Sequence, residues 1–446
     1  MIRVPGSLAR RDLLRAAVLV PATGAAVVTC AAIGARPWRS PPPALLSEGV
    51  IVEADGVVRA LPPGRTAVYA PGTRAAVAPQ GAVAAAAQQR RDGARLPDGR
   101  WADLAETALT DLLALTGPTL GAGEGKAPTD FPAGAVVAGP VGGWRYTWPR
   151  DASFAAAAFS AVGLHGEALG VLAHLAGLQR PGGGFEARYT ASGGVPDDRP
   201  AQSDGAGWML WAARRALAEG AGAGELGEAC GAALASAAEN LLALTGTPSH
   251  LPAASPDYWE APEQSLTLGT AAPALLGLEA AAGLEQAGID LGAAVGRAAA
   301  RATTVRAAME RAFAPGWGRH VRNDDVDAAI ALVGPPFMPA LAGTPPVRAS
   351  AVTRMRRNGG GVGPGTSWHD DGVSWTPETA LLAWSAVALG RSQEAEQLLD
   401  WLDEHRTAVG ALAEKVADGG GPAGPAPLAW TCALVVLAVV DANLSG

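Results

Sequence analysis

The run Trp144-Arg145-Tyr146-Thr147-Trp148-Pro149-Arg150-Asp151 sets three aromatic rings at alternate positions and closes on an Arg–Asp pair. Alternation turns the side chains of an extended segment to one side. Only 5% of the 446 residues are aromatic, so three rings within five positions mark this stretch out. A ring face suits the C–H face of a sugar, and a guanidinium beside a carboxylate suits its hydroxyls. The same residues would also serve a loop that plugs its own rings into the core and holds itself with an internal ion pair.

Two glutamates add a second kind of chemistry. Glu260 ends the run Asp257-Tyr258-Trp259-Glu260, and Glu414 stands beside Lys415, one of only two lysines in the chain. Breaking a glycosidic bond takes one carboxylic acid to protonate the leaving oxygen and one carboxylate to handle water or attack carbon. A glutamate packed against a Trp ring loses solvation, which favours the protonated form that an acid catalyst needs. The plainer roles are a surface carboxylate capping a helix for Glu260, and a partner to Lys415 or Arg406 for Glu414.

These residues need a scaffold, and the sequence reads as a helical one. From Trp101 onward, periodicity and Ala/Leu content predict about twelve helices. The first spans Trp101 to Leu115, and the others start near Ala152, Gly166, Asp204, Glu225, Leu266, Leu291, Asp324, Pro346, Pro377, Ser392 and Pro427. Thr376 followed by Pro377 makes a helix start, with Glu378 favoured by the helix dipole. The second, sixth, tenth and twelfth segments are apolar on every side, whereas the seventh and eleventh are amphipathic. A helix apolar all round must be buried all round. Even-numbered helices inside and odd-numbered ones outside define a double ring, an all-α (α/α)6 barrel. An irregular helical array or a superhelix of helix pairs is the alternative. In the barrel all inner helices run the same way, so the loops entering them share one end. The long loops rich in Gly, Pro and Trp all precede even-numbered segments, which puts the chain's loop length on that one face.

Composition and the remaining motifs bound the rest. The net charge is −8, and no basic stripe is present for nucleic acid. The three cysteines, Cys30, Cys230 and Cys432, have neither metal-ligand spacing nor a disulfide framework. No metal or cofactor is expected. The Gly-rich run ending at Lys126 has Leu120 and Ala127 where a phosphate loop needs Gly and Ser or Thr. Residues 1–36, with Arg10 and Arg11 ahead of an apolar run from Ala16 to Ile33, resemble a twin-arginine export signal, with an uncleaved membrane anchor as the alternative. The body is therefore expected outside the cytoplasm, either released or attached to the outer side of the membrane. A Pro-rich spacer follows over 37–47, then a short β-rich segment over 48–90, then the barrel over 91–446. Asp55-Gly56 predicts a hairpin between Val50–Glu53 and Val57–Leu61, and Thr66–Ala70 reads as a third strand.

Taken together, the motifs resemble glycoside hydrolase family 15, the glucoamylase family. Trp144, Tyr146, Trp148, Arg150 and Asp151 resemble its entry motif, whose aromatics wall the pocket for a terminal glucose and whose Arg–Asp pair grips the glucose hydroxyls. Asp257-x-Trp259-Glu260 is similar to its general-acid motif, and Ala413-Glu414-Lys415 with Leu428 to Thr431 is similar to its general-base segment. Gln202 and Asp204 match a recurring pair on the rim, and Trp375 is retained. The resemblance covers about Val141 to Val440. It implies an inverting, exo-acting enzyme on α-linked glucans or oligosaccharides, with Glu260 as acid, Glu414 as base and Trp259 shaping the pocket. Two departures bear on substrate. Trp144 stands where the family has Tyr, and the loop before the tenth helix lacks the usual Arg–aromatic pair ahead of Trp375. A related disaccharide hydrolase such as a trehalase, or a glucan-binding protein without turnover, remains as an alternative.

Overall fold

A computed structural model describes residues 43–77, 81–122, 127–294 and 296–444. The export-signal-like stretch 1–36, most of the 37–47 spacer and residues 123–126 of the Gly-rich run lie outside the described residues.

A helix apolar on every side finds cover only inside a ring of other helices, and that is where the all-apolar segments sit. The helices are α1 (Ala82–Arg91), α2 (Ala102–Ala114), α3 (Pro149–Ala161), α4 (His165–Leu178), α5 (Gly205–Ala218), α6 (Ala223–Leu244), α7 (Leu268–Gln286), α8 (Ala298–Phe313), α9 (Thr344–Met355), α10 (Thr376–Ala388), α11 (Ser392–Glu404) and α12 (Ala429–Leu444). A 3-10 turn, Ala328–Val333, lies between α8 and α9. Helix α3 packs on α5, α5 on α7, α7 on the 3-10 turn, that turn on α10, α10 on α12, and α12 back on α3. This closes an inner ring of six. Around it α2 packs on α12, α4 on α3, α6 on α5 and α7, α8 on α7, α9 on the 3-10 turn and α11 on α10. The architecture is an (α/α)6 barrel.

Close approach of the inner helices depends on small residues. A Cβ on Gly207 of α5 would fall 2.1 Å from the carbonyl oxygen of Pro273 in α7, so only glycine lets these two backbones touch. The centre of the ring is aromatic. Phe154 lies 5.0 Å from Trp208, 4.8 Å from Trp211 and 5.8 Å from Trp430, centroid to centroid.

Two predicted segments differ in extent. The eighth, expected as a helix from near Asp324, is the six-residue 3-10 turn. Gly334-Pro335-Pro336 follows it directly, and proline cannot continue a helix. Phe337 fills the space, 5.0 Å from Trp384. The seventh begins at Ala298 rather than near Leu291, because Gly292 and Gly296 adopt φ of +56° and +73°.

The predicted hairpin is present as β1 (Gly49–Val52) and β2 (Val57–Leu61), antiparallel with Val52 opposite Val58. The third strand is not Thr66–Ala70. It is β3 (Thr119–Leu120), parallel to β2, followed by β4 (Thr129–Asp130). The sheet is held to the barrel by Arg74, whose guanidinium bonds both oxygens of the buried Asp111 in α2. A second small sheet, β5 (Ser374–Trp375), β6 (Lys415–Val416) and β7 (Pro422–Ala423), ties the loop entering α10 to the loop entering α12. No helix among the described residues is long and apolar enough to cross a membrane.

Candidate active site

The connections into the outer helices are mostly short, as over 162–164 and 389–391, whereas 179–204, 356–375 and 405–428 lead into inner helices. All inner helices start at the same end of the ring. A cleft of about 290 Å³ opens there, lined from the segments that enter α3, α5, α7, α10 and α12.

Glu260 and Glu414 both line this cleft. The two indoles of the aromatic run each hold one of them. Trp148 donates its Nε1–H to Glu260 Oε1 at 3.1 Å, and Trp144 donates its own to Glu414 Oε1 at 3.1 Å. One stretch of eight residues therefore spans both carboxylates. The run is not extended throughout. Gly142, at φ +54°, starts a 3-10 turn over Gly142–Trp144, and strict alternation is lost. Trp144 and Trp148 line the cleft, whereas Tyr146 stands behind it with the Arg188 guanidinium 4.8 Å over its ring.

Glu260 sits on a tight turn. Its N–H bonds the Asp257 carbonyl at 2.9 Å, and the Trp259 N–H bonds Asp257 Oδ1 at 3.0 Å. Glu260 itself adopts φ +56°, a left-handed conformation that costs a non-glycine residue about 1–3 kcal/mol. Arg319 anchors the turn from beneath. It is almost fully buried and bonds Asp257 Oδ1 at 2.8 Å, Glu263 Oε1 at 2.6 Å and Asp327 Oδ2 at 3.0 Å, with its guanidinium 3.7 Å from the Trp259 ring centroid. Burial disfavours the Arg319 charge, but Asp327 and Asp257 outweigh it and hold the pKa above the ordinary arginine value. Burial, then the nearby Asp327 carboxylate, pushes the Tyr258 phenol well above its ordinary pKa, so it stays protonated and donates to Asp327.

Trp259, the sequence neighbour of Glu260, has its ring engaged elsewhere. That ring is taken by Arg319 and by the edge of Trp368, 4.9 Å away. Glu260 accepts from Gln202 Nε2 at 2.7 Å and from Arg199, besides Trp148. Gln202 and Asp204 lie under the cleft. Arg150 reaches toward both, with Nη1 3.4 Å from Gln202 Oε1 and 3.9 Å from Asp204 Oδ2, and its Nη2 lies 3.2 Å from Asp151. The same guanidinium stands 4.8 Å over Trp430. Burial raises both Asp151 and Asp204 to about 6, against the pull of Arg150.

Glu414 has 12% of its side chain exposed, and the Lys415 ammonium lies 3.1 Å from its Oε2. That ammonium also sits 4.2 Å over the Trp375 ring, so the sequence neighbours Glu414 and Lys415 join two walls of the cleft. Arg406 pairs with Asp103 and Asp403 instead. The backbone of Glu414 is clamped from both sides. Its N–H bonds the Pro425 carbonyl at 3.0 Å, and its carbonyl accepts from Thr376 N at 3.0 Å.

The sequence reading missed several cleft residues. Arg188 and Arg199 come from the loop entering α5, Trp368 from the loop entering α10, Trp430 from α12 and Glu378 from the first turn of α10. Four indole N–H groups around the cleft, on Trp259, Trp368, Trp375 and Trp430, are buried and have no hydrogen-bond partner among the described residues. Apolar ring walls carrying unmet donors, with carboxylates facing them, suit a ligand that is at once flat-faced and rich in hydroxyls. Among the described residues no cluster of His, Cys, Asp and Glu could hold a metal ion.

The fold places the chain among known structures. No protein-family model matches it, and no curated protein matches it in sequence. Solved structures do match. A wild-type glycosidase superposes with a TM-score of 0.59 at 22% identity, covering 77% of this chain and 96% of its own. The glucoamylase of Saccharomycopsis fibuligera superposes at 0.60 and 13% identity, covering 79% and 98%. A bacterial glucoamylase complexed with acarbose superposes at 0.58 and 16% identity, covering 77% of this chain and 55% of its own. The barrel is thus a glucoamylase-like fold.

Proposed function

We propose that the protein is a glycoside hydrolase that removes glucose from the non-reducing ends of α-linked glucans or oligosaccharides, with inversion. The observation that carries this reading is the pair of carboxylates on one cleft, each held by an indole N–H of the same loop. Glu260 protonates the glycosidic oxygen, and Glu414 activates water on the opposite face of the ring. Arg150 and Asp151 grip the terminal sugar, and Trp144, Trp148, Trp259 and Trp375 form its apolar walls. Arg199, on an exposed loop, is the group that yields for Glu260 to carry its proton. The neighbouring structures support the reading by their descriptions, one being a glycosidase variant in complex with glucose and another a glucoamylase with acarbose.

Export rests on Arg10, Arg11 and the apolar run that follows them. A second reading, a trehalase-like disaccharide hydrolase, is favoured by the loop entering α10. There Trp368 forms the wall, and Arg357 is turned beneath it, bonding the carbonyls of Gly365 and Trp368. Product analysis by NMR on maltose, isomaltose and trehalose separates the readings. The first predicts glucose from maltose or isomaltose and none from trehalose. Cleavage of trehalose alone supports the second, and sugar binding without any cleavage overturns both.

A further inference from the structure

A third glutamate in the cleft has no place in the two-carboxylate scheme. Glu378 stands in the first turn of α10, after Pro377, and lines the cleft together with Glu414, Tyr258 and Trp430. It is 3% exposed, and its Oε2 has no hydrogen-bond partner among the described residues. Among the described residues no ion pair involves it. Arg150, whose charge acts on it, is already engaged with Asp151 and reaches toward Gln202 and Asp204. A buried, unpaired carboxylate is costly, whereas a buried carboxylic acid with an acceptor in reach is not.

We propose that the Glu378 carboxyl donates a hydrogen bond to a hydroxyl of the pyranose at the floor of the cleft, and so is a specificity-determining residue. This rests on the glycoside-hydrolase reading. An ionised glutamate can only accept, but a protonated one presents an O–H to a sugar oxygen. The influences on the charge state of Glu378 oppose one another, with burial the largest. Burial raises its pKa most, the helix-start N–H of Glu378 itself opposes this, Glu414 and Asp327 raise it further, and Arg150 lowers it, for a value of about 8. Tyr258, the other titratable group beside it, stays a neutral phenol. At pH 7 the donor is present, and it is lost as pH rises through about 8. Discrimination follows from the donor's position. A sugar lacking the matching hydroxyl, or presenting it from the other face, leaves a buried acid unpaired.

The test is glucose and maltose binding to the full chain, followed by Trp fluorescence between pH 6 and 9.5, for the unmodified protein, Glu378→Gln and Glu378→Ala. The unmodified protein should weaken as pH rises through about 8 and level off on the order of tenfold weaker, close to Glu378→Ala. Glu378→Gln, whose amide donates at every pH, should bind within a few-fold of the unmodified protein at pH 7 and lose the alkaline limb. Glu378→Ala should bind on the order of tenfold more weakly at pH 7, without that limb. An alkaline limb that persists in Glu378→Gln, or unchanged affinity in Glu378→Ala at pH 7, overturns the inference and leaves the hydrolase reading standing. No binding of either sugar by the unmodified protein at any pH overturns the hydrolase reading and this inference with it.

Discussion

Replacing Arg319 by Met tests whether the cleft depends on a charge buried behind it. Arg319 is 1% exposed and holds three carboxylates, of which Asp257 and Asp327 are themselves fully buried. Met roughly fills the volume but leaves Asp257 and Asp327 without their ion-pair partner. Breaking a buried ion pair from one side costs about 3–5 kcal/mol, a large fraction of a typical folding free energy of roughly 5–15 kcal/mol. With a denaturant slope of roughly 4 kcal/mol per M for a chain of this size, the urea midpoint should fall on the order of 1 M. The pH dependence carries a sign. Burial, more than Arg319 lowers it, already raises Asp327 above its unfolded value. The folded state therefore holds more protons than the unfolded one above the ordinary carboxylate range, and stability falls as pH rises through that window. Without Arg319 the Asp327 value rises further, so the deficit of the variant should be largest near pH 8 and shrink toward pH 4. Urea unfolding at four pH values measures it. A midpoint equal to that of the unmodified protein at pH 8, or a deficit that grows toward acid pH, refutes the reasoning.

Two substitutions address the chemistry. Glu260→Gln keeps the size of the side chain and removes its proton-donating ability. It should lower kcat on maltose by about 10²–10⁴-fold while KM stays within a few-fold, and unimpaired maltose hydrolysis would remove Glu260 from the acid role. Trp144→Phe keeps a ring on the cleft wall but deletes the 3.1 Å bond to Glu414. One hydrogen bond to a charged acceptor is worth roughly 1.5–3 kcal/mol, so kcat should drop about 10–100-fold with little change in Tm. A drop in Tm with unchanged kcat would make that bond structural only.

The double ring was legible in the sequence because inner and outer helices bury different fractions of their surface. The all-apolar α3, α7, α10 and α12 can sit nowhere but inside, and the amphipathic α8 and α11 sit outside. Lengths failed where special backbone intervenes, as at Gly334-Pro335-Pro336 after the 3-10 turn. The third strand was misplaced because β3 pairs with β2 from about sixty residues away. In the cleft, the aromatic run and the two glutamates stood out by residue type and loop position. What joins them did not. The bond from Trp144 to Glu414 spans 270 residues and that from Trp148 to Glu260 spans 112. The pairs of Arg199 with Glu260 and of Arg319 with Asp257 join loops entering different elements. Glu378 was read only as a helix-start carboxylate, and nothing local distinguishes a glutamate capped by a dipole from one that also faces a cleft.

The central claim is that Glu260 and Glu414 act from opposite faces of one bound sugar, with water delivered from the Glu414 side. Time-resolved proton NMR of methyl α-maltoside, whose blocked reducing end releases no free glucose, reports this in one spectrum in the presence of the unmodified protein. The account predicts that the anomeric signal of β-glucose appears first, with α-glucose growing in only as the product mutarotates. First appearance of α-glucose would contradict it.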